Sequence, residues 1–182
     1  MRKALYILGI LDDSDVNWLA AAGSARQIGS GSVIIQQGVP VDSIFIVIDG
    51  QLLVSSGQVE IAKLQAGEIV GEISFVDSRP PSADVKAAVV SQVLEINKSL
   101  LRAKLEKDLG FASRFYLSLA TFLADRLRAT TARLGAGPNA GSAEQEDLDE
   151  LAGDLLENIA LASTRFDMMV KRLAAKSTEN RP

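Results

Sequence analysis

The chain has 182 residues, 47% of them hydrophobic and 23% charged, and a net charge of −4 at pH 7. That is enough for one domain with a real core plus an appendage, and too apolar for a disordered polymer. The absence of cysteine and histidine excludes disulfides, zinc fingers, iron–sulfur clusters, His-ligated haem and nucleophilic catalysis by Cys–His or Ser–His–Asp groups.

The N-terminus MRKALYILGILDD joins two positive charges to a short apolar run. The run meets Asp12 and Asp13 without a small-residue cleavage site, so it reads as the first helix of a cytoplasmic protein and not as a signal peptide. No apolar run approaches the ~20 residues of a membrane span. Residues 4–23 are predicted helical, with Asp12, Ser14 and Asp15 able to cap a short helix that carries Val16, Leu19 and Ala20.

From about Ala25 to Ile96 glycines are frequent and β-branched residues cluster. The segments VIIQQG, SIFIVIDG, QLLVSSG, QVEIAKL, ADVKAAVV and SQVLEIN are strand-like. Asp49-Gly50 between two apolar runs predicts a hairpin, because a type I′ turn needs positive φ at both central positions. Ser56-Gly57 predicts a second. The glycine-rich GSGSV (Gly29–Val33) lacks the strand–loop–helix context of a nucleotide fingerprint and reads as a turn between strands. Many short strands at regular spacing predict a small antiparallel β-roll.

From Asn97 the texture is helical, with Asn97 or Ser99 as cap. Ala112, Phe115, Tyr116, Leu119, Phe122, Leu123 and Leu127 form an apolar stripe at helical spacing. Within it Tyr116, Leu119, Leu123 and Leu127 are the candidate dimer contacts. The break GAGPNAG (Gly135–Gly141) ends this stretch. A last helix is predicted over 144–176, with the heptad seam Leu148, Ala152, Leu155, Ile159, Ala162, Phe166, Met169 and Leu173. That seam suits packing on its own domain or an interface with a partner. Residues 98–133 are rich in Lys and Arg, and residues 144–164 are acidic and contain neither. The two helices could pair within a chain or across a dimer.

The succession of QQGVPVDSIFIVIDGQLLVS, IAKLQAGEIVGEISF and VKAAVVSQVLEIN, with Gly38, Gly50, Gly67 and Gly71 at its turns, resembles a cyclic-nucleotide-binding domain of the catabolite-activator type from about Leu5 to Leu134. The resemblance implies an α+β fold: an N-terminal helix, an antiparallel, jelly-roll-like β-roll with a phosphate-cassette helix, then long C-terminal helices. The implied organisation is 1–97 for the first helix and roll, 98–134 for the cassette-following and dimerisation helices, 135–143 for a Gly-rich linker and 144–182 for an acidic heptad helix and tail.

In that family a short helix follows a Gly-Glu pair and turns its N–H groups to the cyclic phosphate. The glutamate accepts from the ribose 2′-hydroxyl, and an arginine pairs with the phosphate. By position Gly71, Glu72 and Ile73 match the start of this cassette, and Ser82 and Ala83 match the small pair that follows the arginine. Pro81 stands where the arginine belongs. Losing such a contact costs ~2–5 kcal/mol of affinity. Arg79, two residues earlier, is the nearest cation that a Pro80-Pro81 turn could redirect. Thr130 and Thr131 match the adjacent hydroxyl residues that reach the purine, one of them from the partner subunit of a dimer.

Two functions follow as alternatives. One is a non-enzymatic signalling module that senses cAMP, cGMP or a related anion and relays it through its C-terminal helices. It would act as a homodimer, need no metal and carry no catalytic residue. The other, motivated by Pro81, is a degenerate scaffold that binds no nucleotide and joins a protein partner on helix 144–176. An enzyme would have to hold Mg²⁺ on Glu68, Glu72, Asp77 and Asp84, and nothing else supports a reaction. Direct DNA binding is not expected, because the chain is acidic and no helix-turn-helix follows the central helix.

Overall fold

A computed structural model describes residues 6–135 and 152–179. Most of the expected linker (135–143) and the first part of the last helix, Leu148 included, lie outside the described residues. Two short helices open the chain, α1 (Tyr6–Ile10) and α2 (Asp13–Ala22). Asp12 caps α2 through a reciprocal box with Asp15, as the Asp-rich start predicts. The strands β1 (Ser24–Ile28), β2 (Val33–Ile35), β3 (Ser43–Asp49), β4 (Gln51–Ser56), β5 (Val59–Gln65), β6 (Ile69–Val70), β7 (Asp84–Ala87) and β8 (Ser91–Asn97) follow. Helix α3 (Ile73–Val76) interrupts them between β6 and β7.

All pairs are antiparallel, in two four-stranded sheets ordered β1-β8-β3-β6 and β2-β7-β4-β5. Between the sheets lies one core, built on Phe45, Val47, Leu52, Val54, Leu64, Val85 and Val93. The other face of the first sheet carries Ile44, Ile46, Ile48, Leu94 and Ile96 against the helices. Strand β3 is therefore buried on both faces, which explains its unbroken apolar run.

Ser56-Gly57 makes the expected hairpin: β4 and β5 pair, with Ser56 opposite Val59. Asp49-Gly50 does not. Strands β3 and β4 belong to different sheets, so this turn carries the chain from one layer to the other. Gly50 keeps the positive φ (+87°), and a methyl group there would lie 2.7 Å from the Ser91 Cα. A turn that needs glycine is readable locally, but whether its strands then pair depends on the partner each finds.

The long helical stretch divides at Asp108 into α4 (Lys98–Lys107) and α5 (Leu109–Gly135). Asn97 caps α4, accepting from the N–H groups of Ser99 and Leu100. Helix α5 buries Phe111, Phe115, Leu119 and Phe122 against the outer face of the first sheet and the N-terminal helices. Leu119 and Leu123 of the expected dimer stripe thus face this chain's own core, while Tyr116 and Leu127 remain exposed.

Helix α6 (Ala152–Glu179) turns back on the same chain. The described part of its seam, Ala162, Met169 and Leu173, is buried with α1 and α2, and Phe166 is half-buried beside them. Arg165 fixes the dock, donating to Asp13 at 2.7 Å and to the carbonyls of Leu8 and Gly9 at 3.2 and 3.0 Å. These carbonyls lie at the C-terminal end of α1, where four acceptors lack intrahelical partners. Residues 160–175 of the seam are therefore occupied from within, and the alternative of a foreign protein on this stripe is corrected there.

Candidate functional site

The loop from Gly71 to Ala83 joins β6 to β7 and holds α3 against α4 and α5. Gly71 has φ +87°, and a methyl group on it would stand 3.0 Å from the Ser43 carbonyl oxygen. Only glycine lets the loop lie this close to β3. Phe75 of α3 packs edge-on against Phe115 of α5, with ring centroids 6.1 Å apart. Arg102 of α4 lies over the Phe75 ring at 5.3 Å and donates to the Phe75 carbonyl.

A pocket opens between this loop, the second sheet and α5. It is lined by Ile35, Val54 and Val85 from the roll, by 70–74 and 81–83 from the loop, and by Arg126 from α5. Its wall is largely apolar, and its one ion pair joins Glu72 to Arg126 at 3.0 Å. Glu72 is buried, and burial raises its pKa above the usual carboxylate range, against the pull of the Arg126 guanidinium and of the Glu72 and Ile73 N–H groups. Arg126 lies over the Phe122 ring at 5.5 Å, a cation–π contact that steadies it.

Beneath the loop sits a second cation. Lys98 begins α4 and is buried, its ammonium 2.7 Å from the Ser74 hydroxyl, which in turn donates to the Gly71 carbonyl at 3.1 Å. Burial lowers the Lys98 pKa, and Arg102 adds to the effect. Asp42, Glu72 and Asp77 oppose it.

Residues 25–108 match the family model of the cyclic nucleotide-binding domain. That segment, a little under half of this chain, is similar to the cyclic nucleotide-binding domain. It is 30% identical over 73 residues to the cGMP-dependent protein kinase egl-4 of Caenorhabditis briggsae, covering 40% of this chain and 10% of that protein. It is 25% identical over 154 residues to an uncharacterized NTE family protein of Mycobacterium bovis, covering 82% of this chain and 26% of that one. The chain thus spans about a tenth and about a quarter of these two relatives. A crystal structure of a cyclic nucleotide-binding domain from Methylobacillus flagellatus superposes with a TM-score of 0.67 at 20% identity, over 78% of this chain and 85% of that one. The fold expected from the resemblance, roll, cassette and long helices, is the fold observed.

Of the residues that the family pattern marks, Gly71, Glu72, Ile73, Ser82 and Ala83 line the pocket together with Pro81. Arg79 is exposed, does not line the pocket, and gives its backbone N–H to Asp77. Thr130 and Thr131 are exposed on α5 beyond the pocket, and the Thr130 hydroxyl donates to the Arg126 carbonyl. Three of the carboxylates considered for a metal serve loop backbone instead. Glu68 accepts from Gln65, Asp77 from Arg79, and Asp84 from Gln37.

Sequence reasoning missed Arg126 and Lys98. A signal for each was present. Arg126 continues the core-facing series Phe115, Leu119, Phe122 at steps of four, three and four, so a cation there enters a buried face. Lys98 stands three residues before Leu101 and seven before Leu105, both buried. A charge on a core stripe needs a partner, and each partner lies in the cassette.

Proposed function

We propose that this chain is a non-enzymatic regulatory module that binds cAMP or cGMP in the pocket and passes its occupancy to the C-terminal helices. The observation that carries the reading is the Glu72–Arg126 pair, which ties the cassette to α5 across the pocket. A nucleotide ribose that donates its 2′-hydroxyl to Glu72 competes with Arg126 for that carboxylate. Any change in the pair changes what holds α5, and the Phe75–Phe115 contact couples the same two elements. A ligand shifts the helices only as far as it binds one arrangement better than the other. The name of the kinase relative agrees with a cyclic nucleotide as ligand. Ser82, Ala83 and the backbone from Gly71 to Ile73 take the cyclic phosphate in this reading, and Thr130 and Thr131 serve the purine only from a second subunit or after α5 moves.

Titration calorimetry of the chain with cAMP and cGMP, joined to hydrogen exchange of α5, tests it. Micromolar or tighter binding of either nucleotide with altered exchange along α5 is the expected result. Failure of both to bind overturns the reading, and binding without any change in α5 overturns the relay.

A further inference from the structure

Lys98 is a buried charge without a counter-ion. Its residue is 8% exposed, yet among the described residues no carboxylate lies within ion-pairing distance of its ammonium. Its partner is the Ser74 hydroxyl at 2.7 Å. A buried ammonium served by one hydroxyl is costly to keep charged. The nearest acids are committed elsewhere or stand back. Glu72 is bonded to Arg126, Asp77 is exposed and bonded to the Arg79 backbone, and Asp42 gives its carbonyl to the Lys98 N–H. Arg102, one turn along α4, adds a like charge.

Ser74 lines the ligand pocket. The ammonium therefore stands one hydroxyl behind the pocket wall, on the cassette side, in a pocket whose loop offers Pro81 where a cation would be. The hydrogen-bond chain from Lys98 through Ser74 to the Gly71 carbonyl also polarises the Gly71–Glu72 peptide at the pocket floor.

We propose that Lys98 is the anion-binding charge of this pocket: an anionic phosphate group seated against Ser74 is the counter-ion that the buried ammonium lacks. The identity of the anion as a cyclic nucleotide rests on the function proposed above, whereas the anion site rests on Lys98 and Ser74. A negative charge at Ser74 offsets the burial of the ammonium, so affinity for anions depends on the Lys98 charge even where the ligand does not touch it.

The experiment titrates the wild-type chain, Lys98→Met and Lys98→Gln with cAMP, cGMP and inorganic phosphate, the fold of each variant being checked by circular dichroism. Lys98→Gln keeps a donor for Ser74 and removes only the charge. Both variants are expected to bind the anions roughly ten- to a hundredfold more weakly, as fits loss of one charge at short range in a partly shielded site. Wild-type affinity in folded Lys98→Gln overturns the proposal and leaves the nucleotide reading standing. Lys98-dependent binding of phosphate with no binding of either nucleotide supports the anion site and overturns the nucleotide reading. No binding of any anion by the wild type overturns both. If neither Lys98 variant folds, Ser74→Ala, which cuts the link to the pocket, must weaken anion binding, and unchanged affinity in it overturns the proposal.

Discussion

Glu72 and Arg126 are 54 residues apart in the chain and 3.0 Å apart in space. Their contact is the point at which the β-roll and the long helix α5 share a charged group. Glu72 is buried and Arg126 is about a quarter exposed, so removing either partner has unequal consequences. Arg126→Gln leaves a buried carboxylate without its cation and is expected to lower unfolding free energy by on the order of 2–3 kcal/mol, below the range for fully buried pairs because water reaches the arginine side. The double variant Glu72→Gln/Arg126→Gln is expected to recover much of that loss. Urea denaturation of the three variants measures it, and equal loss in the single and double variants would contradict a coupled pair.

The raised pKa of Glu72 has a definite sign in the pH dependence of stability. The folded state holds the Glu72 proton more tightly than the unfolded chain does. This contribution is complete below the unfolded value near 4.5 and is lost as pH rises through the higher folded value. As pH falls through the folded value towards 4.5 the wild type is therefore expected to gain stability relative to Glu72→Gln. Asp12, held down first by its Ser14 hydrogen bond, works oppositely. Its contribution is present above the unfolded value of 3.8 and is lost as pH falls through its lower folded value. Denaturation midpoints across this range decide the matter, and parallel profiles for wild type and Glu72→Gln would refute the assignment.

Gly50 tests the link between the sheets. An alanine there must adopt the left-handed backbone and meet Ser91, whose hydroxyl also accepts from the Gln51 N–H. Gly50→Ala is expected to cost about 2 kcal/mol or more from backbone strain and the clash together. Gly57→Ala, at a turn with open space around it, carries only the strain and is expected to cost about half as much. Thermal unfolding of both variants checks the order, and reversal of that order would count against the layer-crossing turn.

Helix α6 is held by one arginine and an apolar face. Arg165→Ala removes the bond to Asp13 and strands two carbonyls of α1, for an expected loss of about 1–3 kcal/mol. Met169→Ala empties a fully buried site at an expected cost of about 2–5 kcal/mol. Hydrogen exchange is expected to show α6 and α1 opening together in both variants, and the roll unchanged. Protection lost in α6 alone would mean that the helices do not form one unit.

The surface of α5 turned from the core exposes Leu109, Tyr116 and Leu127, which share one side at steps of seven and eleven. As the contact face of a homodimer, it predicts a dimer by light scattering at tens of micromolar and a monomer for Tyr116→Glu/Leu127→Glu. A monomeric wild type would remove this face from the account.

The sequence by itself determined the local structure. Asp12 and Asn97 as caps, Ser56-Gly57 as a hairpin and the unbroken apolar run of β3 follow from interactions within a few residues, whereas Gly71-Glu72 at the head of the cassette is what the family resemblance implies. Against the same family pattern, Pro81 stands where an arginine is expected. What the tertiary structure alone decided is where remote groups meet. Strands β3 and β4 part company at Gly50 because each finds its partners elsewhere in the chain. The seam of α6 closes on α1 and α2, because that face is apolar whichever surface it covers and only the folded chain shows which surface is nearest. Arg126 and Lys98 come to the cassette for the same reason. A charge on a helix carries no record of its partner in sequence, and burial makes that partner matter only once the chain has folded.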